Sequence, residues 1–271
     1  MDISLLVQLS ILGIVVGFAA GLLGIGGGGI LVPVLTGIFI TQQIAPTYGV
    51  HLALGTSMAC IMTTTFSSAF SHYKHHNVEW FYVKALVPTI VVGAISISFL
   101  IPFINSEYLA IFFAIFMFLM AIKMFANPSL PSDKPKKINI APSVAGLGIG
   151  GISTVVAIGG GVLVVPYLVS KGLNIKRAIG SSSAVGFPIA VSGTIGYAIN
   201  GYLNAGDLAE NADVIGFVHI PTVLIVSFWG LFLAPVGAKL SNKLPISVLK
   251  KIFALLMVGL SIKMLMIIFS P

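Results

Sequence analysis

Apolar runs of membrane-spanning length follow one another along almost the whole chain, separated by short polar turns. A helix crosses the hydrocarbon layer with about 20 apolar residues. On that measure the first half predicts segments at roughly 4–24, 28–40, 51–71, 79–103 and 107–126. The second half predicts segments at roughly 141–157, 160–171, 178–200, 214–238 and 246–268. Only NPSLPSDKPKKINI, residues 127–140, is polar and proline-rich enough to act as a linker. The N-terminus lacks the basic leader of a signal peptide, so its apolar run is read as a retained first span. The expected fold class is an all-α polytopic membrane protein.

The two halves resemble each other. GIGGGGILVPVL (Gly24 to Leu35) aligns with AIGGGVLVVPYL (Ala157 to Leu168) at an offset of 133, which also pairs Pro88-Thr89 with Pro221-Thr222. ALGTS (Ala53 to Ser57) matches AIGSS (Ala178 to Ser182), and IKM recurs at Ile122 and Ile262. Anchors in the same order predict a duplication: a first repeat at 1–126, a cytoplasmic linker at 127–140 and a second repeat at 141–271. About five helical segments per repeat gives the two halves inverted topology. Charge agrees with that count. The loop at 201–213 carries Asp207, Glu210 and Asp213 without Lys or Arg, while the loops flanking it carry Lys171, Lys176, Arg177, Lys239 and Lys243. Five crossings put those basic loops and the linker lysines on one face, the cytoplasmic one.

Composition narrows the function. Hydrophobic residues make up 57% and charged residues 8%, which excludes a soluble globular domain of this size. The net charge of +7 is scattered rather than gathered in a stripe, so no nucleic acid is expected as a partner. The single Cys60 gives no disulfide and no thiolate metal site. All seven Asp and Glu residues lie in loops or near segment ends, so a buried carboxylate proton relay is absent from the pattern. HExxH, GxSxG and paired intramembrane carboxylates are also missing, so an enzyme is not expected. Neither metal nor cofactor is implied. The expected partners are a small anionic substrate and the lipid bilayer, and a homodimer is compatible with the chain.

The glycine clusters carry the functional reading. Gly26, Gly27, Gly28 and Gly29, and then Gly159, Gly160 and Gly161, each precede a proline, Pro33 or Pro166. Glycine at this density either lets helices pack closely or breaks a helix. Two clusters at matched positions favour the break. Broken backbone within a bilayer lines a protein-enclosed cavity, and a restarting helix presents free N–H groups suited to an anion. Thr56 and Ser57, with Ser181 and Ser182, open the third segment of each half, where hydroxyls cap a helix or donate to an oxyanion. His51 and His219 near segment starts are candidates for a gate or proton site, with a satisfied interfacial histidine as the plainer alternative. Lys176 and Arg177 either guide anions to the mouth or simply set orientation. His72, His75 and His76 with Lys74 read as a solvated face. Gly13, Gly17 and Gly21 read as helix-packing steps.

These motifs, together with SHYKHHNVEW (Ser71 to Trp80) and GAKLSNKLP (Gly237 to Pro245), resemble the TauE/SafE sulfite exporter family over nearly the whole chain. The resemblance implies transport of sulfur-containing anions, such as sulfite and organosulfonates including sulfoacetate, outward across a bacterial inner membrane. It also implies that the glycine breaks and hydroxyl motifs contact the anion. The sequence departs from the family pattern at ISISFLIPFIN (Ile95 to Asn105), which lacks the Gly-Ala-Lys-Leu element kept at Gly237 to Leu240. A passive anion channel and a proton-coupled importer of sulfonates remain as alternatives.

Overall fold

A computed structural model describes residues 3–23, 27–126, 140–204, 212–241 and 246–269. The linker expected at 127–140 therefore lies almost entirely outside the described residues, as does Gly26. Ten helices are present among those described. They are α1 (Ile3–Leu23), α2 (Gly28–Thr41), α3 (Gly49–Lys74), α4 (Trp80–Ser98), α5 (Ser106–Ala126), α6 (Pro142–Val155), α7 (Gly161–Ser170), α8 (Ile175–Asn204), α9 (Ile220–Ser241) and α10 (Ile246–Phe269). A single 3-10 turn at Ile101–Phe103 joins α4 to α5. Five helices have both the length and the apolarity to cross a membrane. Their outward faces carry bare Phe, Leu, Ile and Val side chains such as Phe81, Val92, Ile195 and Leu224, as a lipid-facing surface requires. The protein is a multi-pass helical membrane protein.

The expected segment at 214–238 needs a correction. Its first residues form a two-stranded hairpin, β1 (Val214–Ile215) with β2 (Val218–His219), and the helix begins only at Ile220. Gly216 is the reason. It takes φ +57 in the turn, and a Cβ there would strike the Ala198 carbonyl. The hairpin is tucked against the end of α8, where the Phe217 amide donates to the Tyr197 carbonyl at 3.2 Å.

Three pairings organise the molecule. α1 lies along α9 through glycines: a Cβ on Gly13 would press on Val226 and Trp229, one on Gly17 on Gly230, and one on Gly21 on Ala234. The packing expectation for these three glycines is met. α6 lies along α4 in the same manner, with Gly146 against Leu86 and Thr89 and Gly150 against Ile90. The long helices α3 and α8 cross at the centre. Gly55 meets Tyr197, Met58 meets Gly193, Thr65 meets Gly186 and Ser68 bonds Ser183 at 3.1 Å, so the two run antiparallel. Exchanging each helix of the first five with its counterpart in the second five turns α1–α9 into α6–α4 and leaves α3–α8 unchanged.

α2 and α7, like the 14-residue α6, are too short to span the layer. At about 1.5 Å per residue, 14 and 10 residues reach about 21 and 15 Å, short of a hydrocarbon layer about 30 Å thick. They are half-helices, as a break at each glycine cluster requires.

Candidate functional site

Both half-helices start in the same way. Gly27 and Gly160 are the residues before α2 and α7, with φ +79 and +77, a left-handed conformation that only glycine takes without strain. Each glycine carbonyl then accepts the first bonds of its helix. Ile30 and Leu31 donate to Gly27 at 3.1 and 3.2 Å, and Leu163 and Val164 donate to Gly160 at 3.0 and 2.7 Å. The amides of the first turn, Gly28 and Gly29 in α2 and Gly161 and Val162 in α7, have no acceptor in their own helix. Neither helix start has a side-chain cap. Pro33 and Pro166 stand at the sixth residue of each half-helix.

The tertiary fold brings these two starts together. A Cβ on Gly28, the first residue of α2, would strike the Ala157 carbonyl in the break between α6 and α7. The same position lies 2.7 Å from Ile61 Cδ1, and Ile61 is the midpoint of α3, with twelve residues before it and thirteen after. Gly160 lies against Ile189, the midpoint of α8, with fourteen residues before and fifteen after. A Cβ on Gly186, one turn before Ile189, would strike the Gly159 carbonyl. Thus α2 and α7 run outward from the centre toward opposite ends, antiparallel like α3 and α8, which follow them, with their N-terminal turns at the midpoints of those helices. Two positive dipole ends converge there without a lysine or arginine between them among the described residues.

Where the sequence predicts a cavity, the described residues are packed. Gly27, Gly28, Gly29, Gly159, Gly160 and Gly161 are all buried. Val16 covers Gly27, Met117 Cε lies 2.7 Å from the Cβ position of Gly29, and Ile189 Cδ1 lies 2.6 Å from that of Gly160. These three covers are side-chain tips of Val, Met and Ile, whereas Gly28 is closed by the Ala157 backbone carbonyl. The meeting point is closed in this conformation.

The hydroxyl motifs take a different place from the one expected. They do not start helices: Gly55 and Gly180 are already the seventh and sixth residues of α3 and α8. Each motif clamps the opposite half. Gly55 lets the Phe217 carbonyl approach, and Thr56 Oγ1 accepts the His219 amide at 3.0 Å, just before α9. Gly180 lets the Asn77 carbonyl approach, and Ser181 Oγ accepts the Glu79 amide at 2.8 Å, just before α4. Sequence reading missed this because the partners are 163 and 102 residues away. Ser182 donates to its own helix at Ile179, 2.8 Å away. Ser57 stands alone in the motif: it is wholly buried and its Oγ has no hydrogen-bond partner among the described residues.

The remaining candidates lie at the ends. His51 is ten residues, about 15 Å, from Ile61 along α3. Its Nδ1 meets Ser106 Oγ at 3.2 Å, and its Nε2 faces the Ile101 and Ile104 carbonyls at 3.3 and 3.1 Å. This ties α3 to the turn before α5. His219 Nδ1 meets Thr222 Oγ1 at 2.8 Å and accepts the Thr222 amide at 3.4 Å, capping the start of α9. His51 stacks on Phe217 and His219 on Phe39, so both imidazoles belong to an aromatic cluster at one end of the molecule. Lys176 and Arg177 stand at the other end, where Arg177 pairs with Glu79 at 3.2 Å, both exposed. His72 corrects the solvated-face reading. It is buried in α3, while His75 and His76 are exposed. No cluster of metal-binding side chains occurs among the described residues.

Paired long apolar helices around two opposed short ones define a polytopic membrane protein, and the descriptions of its family and relatives make it a membrane transporter rather than an enzyme. Comparison with known proteins gives the family. The model of the sulfite exporter TauE/SafE family matches residues 9–264, and the chain belongs to that family. A "Probable membrane transporter protein" of Haemophilus influenzae is 34% identical over 255 residues, covering 94% of this chain and 96% of that one. A protein of the same description from Methanocaldococcus jannaschii is 31% identical, covering 89% and 88%. Another from Bacillus subtilis is 28% identical, covering 89% and 90%. No solved structure matches the chain.

Proposed function

We propose that this protein is a secondary transporter that exports sulfur-containing anions, such as sulfite and organosulfonates including sulfoacetate, across a bacterial inner membrane. Its two five-helix halves are inverted repeats that rock around a central site made by the glycine breaks. The observation that carries the reading is the meeting of the α2 and α7 N-termini at the midpoints of α3 and α8. Free amides and converging dipole ends suit a negative solute there, and the site needs no added charge to attract one. The family's description names sulfite export.

Energetics agree with export. With a negative interior, one negative charge moving outward gains about 2.3 kcal/mol per 100 mV. A dianion gains about twice that, so no coupling ion is required. The side-chain tips of Val16, Ile61, Met117 and Ile189 that cover the turns favour a carrier over an open channel, since passage requires them to move.

The test is flux in proteoliposomes with purified protein, after a thermal-shift screen of sulfite, sulfoacetate, taurine, thiosulfate and sulfate. Saturable transport with counterflow is expected, and Gly27→Leu or Gly160→Leu should abolish it. Single-channel currents, or unchanged transport in both glycine variants, would sink the reading.

A further inference from the structure

We infer that Ser57 and Ser153 donate hydrogen bonds to the transported oxyanion, one hydroxyl from each half, beside the meeting point of the glycine turns. The inference rests on the central-site reading and extends it to two side chains, of which Ser153 lies outside every glycine or hydroxyl motif.

Most buried hydroxyls elsewhere in these helices donate to a carbonyl, either three or four residues back or, for Ser67 and Ser261, on a neighbouring helix at Leu231 and Ala114. Thr65 reaches Ile61 at 2.6 Å, Thr154 reaches Gly150 at 2.8 Å, Ser170 reaches Tyr167 at 2.6 Å and Ser182 reaches Ile179 at 2.8 Å. Ser57 and Ser153 are 0% and 2% exposed, and neither Oγ has a hydrogen-bond partner among the described residues. A buried hydroxyl left unpaired weakens the fold, so its retention needs another explanation.

Position supplies one. Ser57 stands one turn before Ile61 on the same face of α3, and Ile61 touches Gly28. Ser153 is part of the other break. Its carbonyl accepts the Ile158 amide at 3.0 Å, in the turn that sets the Ala157 carbonyl against Gly28. The two serines therefore stand on the segments that join at the Gly28–Ala157 contact, one from each half. Among the described residues, the other two buried hydroxyls without an oxygen or nitrogen partner differ: Thr36 is eight residues, about 12 Å, along α2 from Gly28, and Ser227 is turned to the Cys60 thiol.

The donor set is neutral and spread in direction: amides from two helix starts and a hydroxyl from each side. It fits an anion with several equivalent oxygens, each able to accept a separate hydrogen bond, better than a spherical halide. The ligand class is a compact sulfur oxyanion group, as sulfite itself or as the head of a sulfonate.

The experiment uses full-length protein, Ser57→Ala and Ser153→Ala singly and together, with sulfite as probe and chloride as control. Thermal stability without ligand should be unchanged or raised, because an unpaired hydroxyl is removed. Sulfite affinity should fall about tenfold for each substitution, with the chloride response unaffected. Ser57→Cys and Ser153→Cys, similar in size but poorer donors, provide a second series and should fall between wild type and Ala. If the variants bind sulfite as wild type does while Gly27→Leu abolishes binding, the inference is wrong and the central site stands. A large loss of ligand-free stability with unchanged affinity also overturns it, by making the hydroxyls structural. A wild-type protein that responds to neither sulfite nor sulfoacetate overturns both readings.

Discussion

Gly28 shows what a single missing side chain permits. Its Cα faces the Ala157 carbonyl so closely that no Cβ fits between them, and the clash is with backbone, which cannot swing aside. Gly28→Ala should therefore force the two turns apart and abolish transport even if the protein still folds, as flux in vesicles would show. Thr56 and Ser181 do a different job at the residue scale. Each accepts a backbone amide that precedes a helix of the other half. Removing the acceptor leaves a buried N–H unpaired, at a cost of about 1–3 kcal/mol. Thr56→Val and Ser181→Ala should each lower the melting temperature, whereas Thr56→Ser should retain it. These two hydroxyls were legible in the sequence as a repeated motif, but their partners were not, because no local pattern marks a contact between residues over 100 positions apart.

Among the elements, glycine has two roles that sequence alone separates poorly. In α1 and α6 it brings helices together, and before α2 and α7 it ends one helix and begins another. Within α6 the structure even distinguishes neighbours. A Cβ on Gly150 would strike the Ile90 carbonyl of α4, while one on Gly148 would meet nothing within 4 Å. Gly150→Ala should thus weaken the α4–α6 pairing and reduce the yield of folded protein. Gly148→Ala should be neutral or stabilise by about 1 kcal/mol through helix propensity, measured as a rise in melting temperature. The half-helices also settle a question of length left by the sequence. Residues 28–40 and 160–171 are apolar enough to look like spans, but α2 and α7 stop at about 21 and 15 Å because each begins at mid-depth.

On the scale of the whole molecule, the two ends are unlike. One holds His51, His219, Tyr48, Phe39 and Phe217 in a buried aromatic cluster, and the other holds the exposed Glu79–Arg177 pair beside Lys176. The ion pair is more than a third exposed on both sides, so it is screened by water and salt. Glu79→Gln should change stability by less than about 1 kcal/mol, with folded yield as the check. Direction of transport is a property of the whole assembly in its membrane. If the substrate leaves the cell as an uncoupled anion, imposing a potential negative on the inside should favour outward movement by about 2.3 kcal/mol per charge per 100 mV. Vesicle efflux that ignores the sign of the potential would contradict uncoupled anion movement.

Hydropathy and the spacing of Gly and Pro by themselves determined a helical membrane protein with new helices starting in its two glycine clusters, at Gly28 and Gly161. Both are local: apolar runs of a given length demand burial in lipid, and glycine clusters interrupt helices wherever they occur. Only the tertiary structure decided that the two breaks touch, that Thr56 and Ser181 clamp the opposite half, and that residues 214–219 turn back as a hairpin. Those outcomes depend on which helix lies against which, and that choice is made by close backbone approach between positions distant in the chain, which leaves no periodic trace in the sequence.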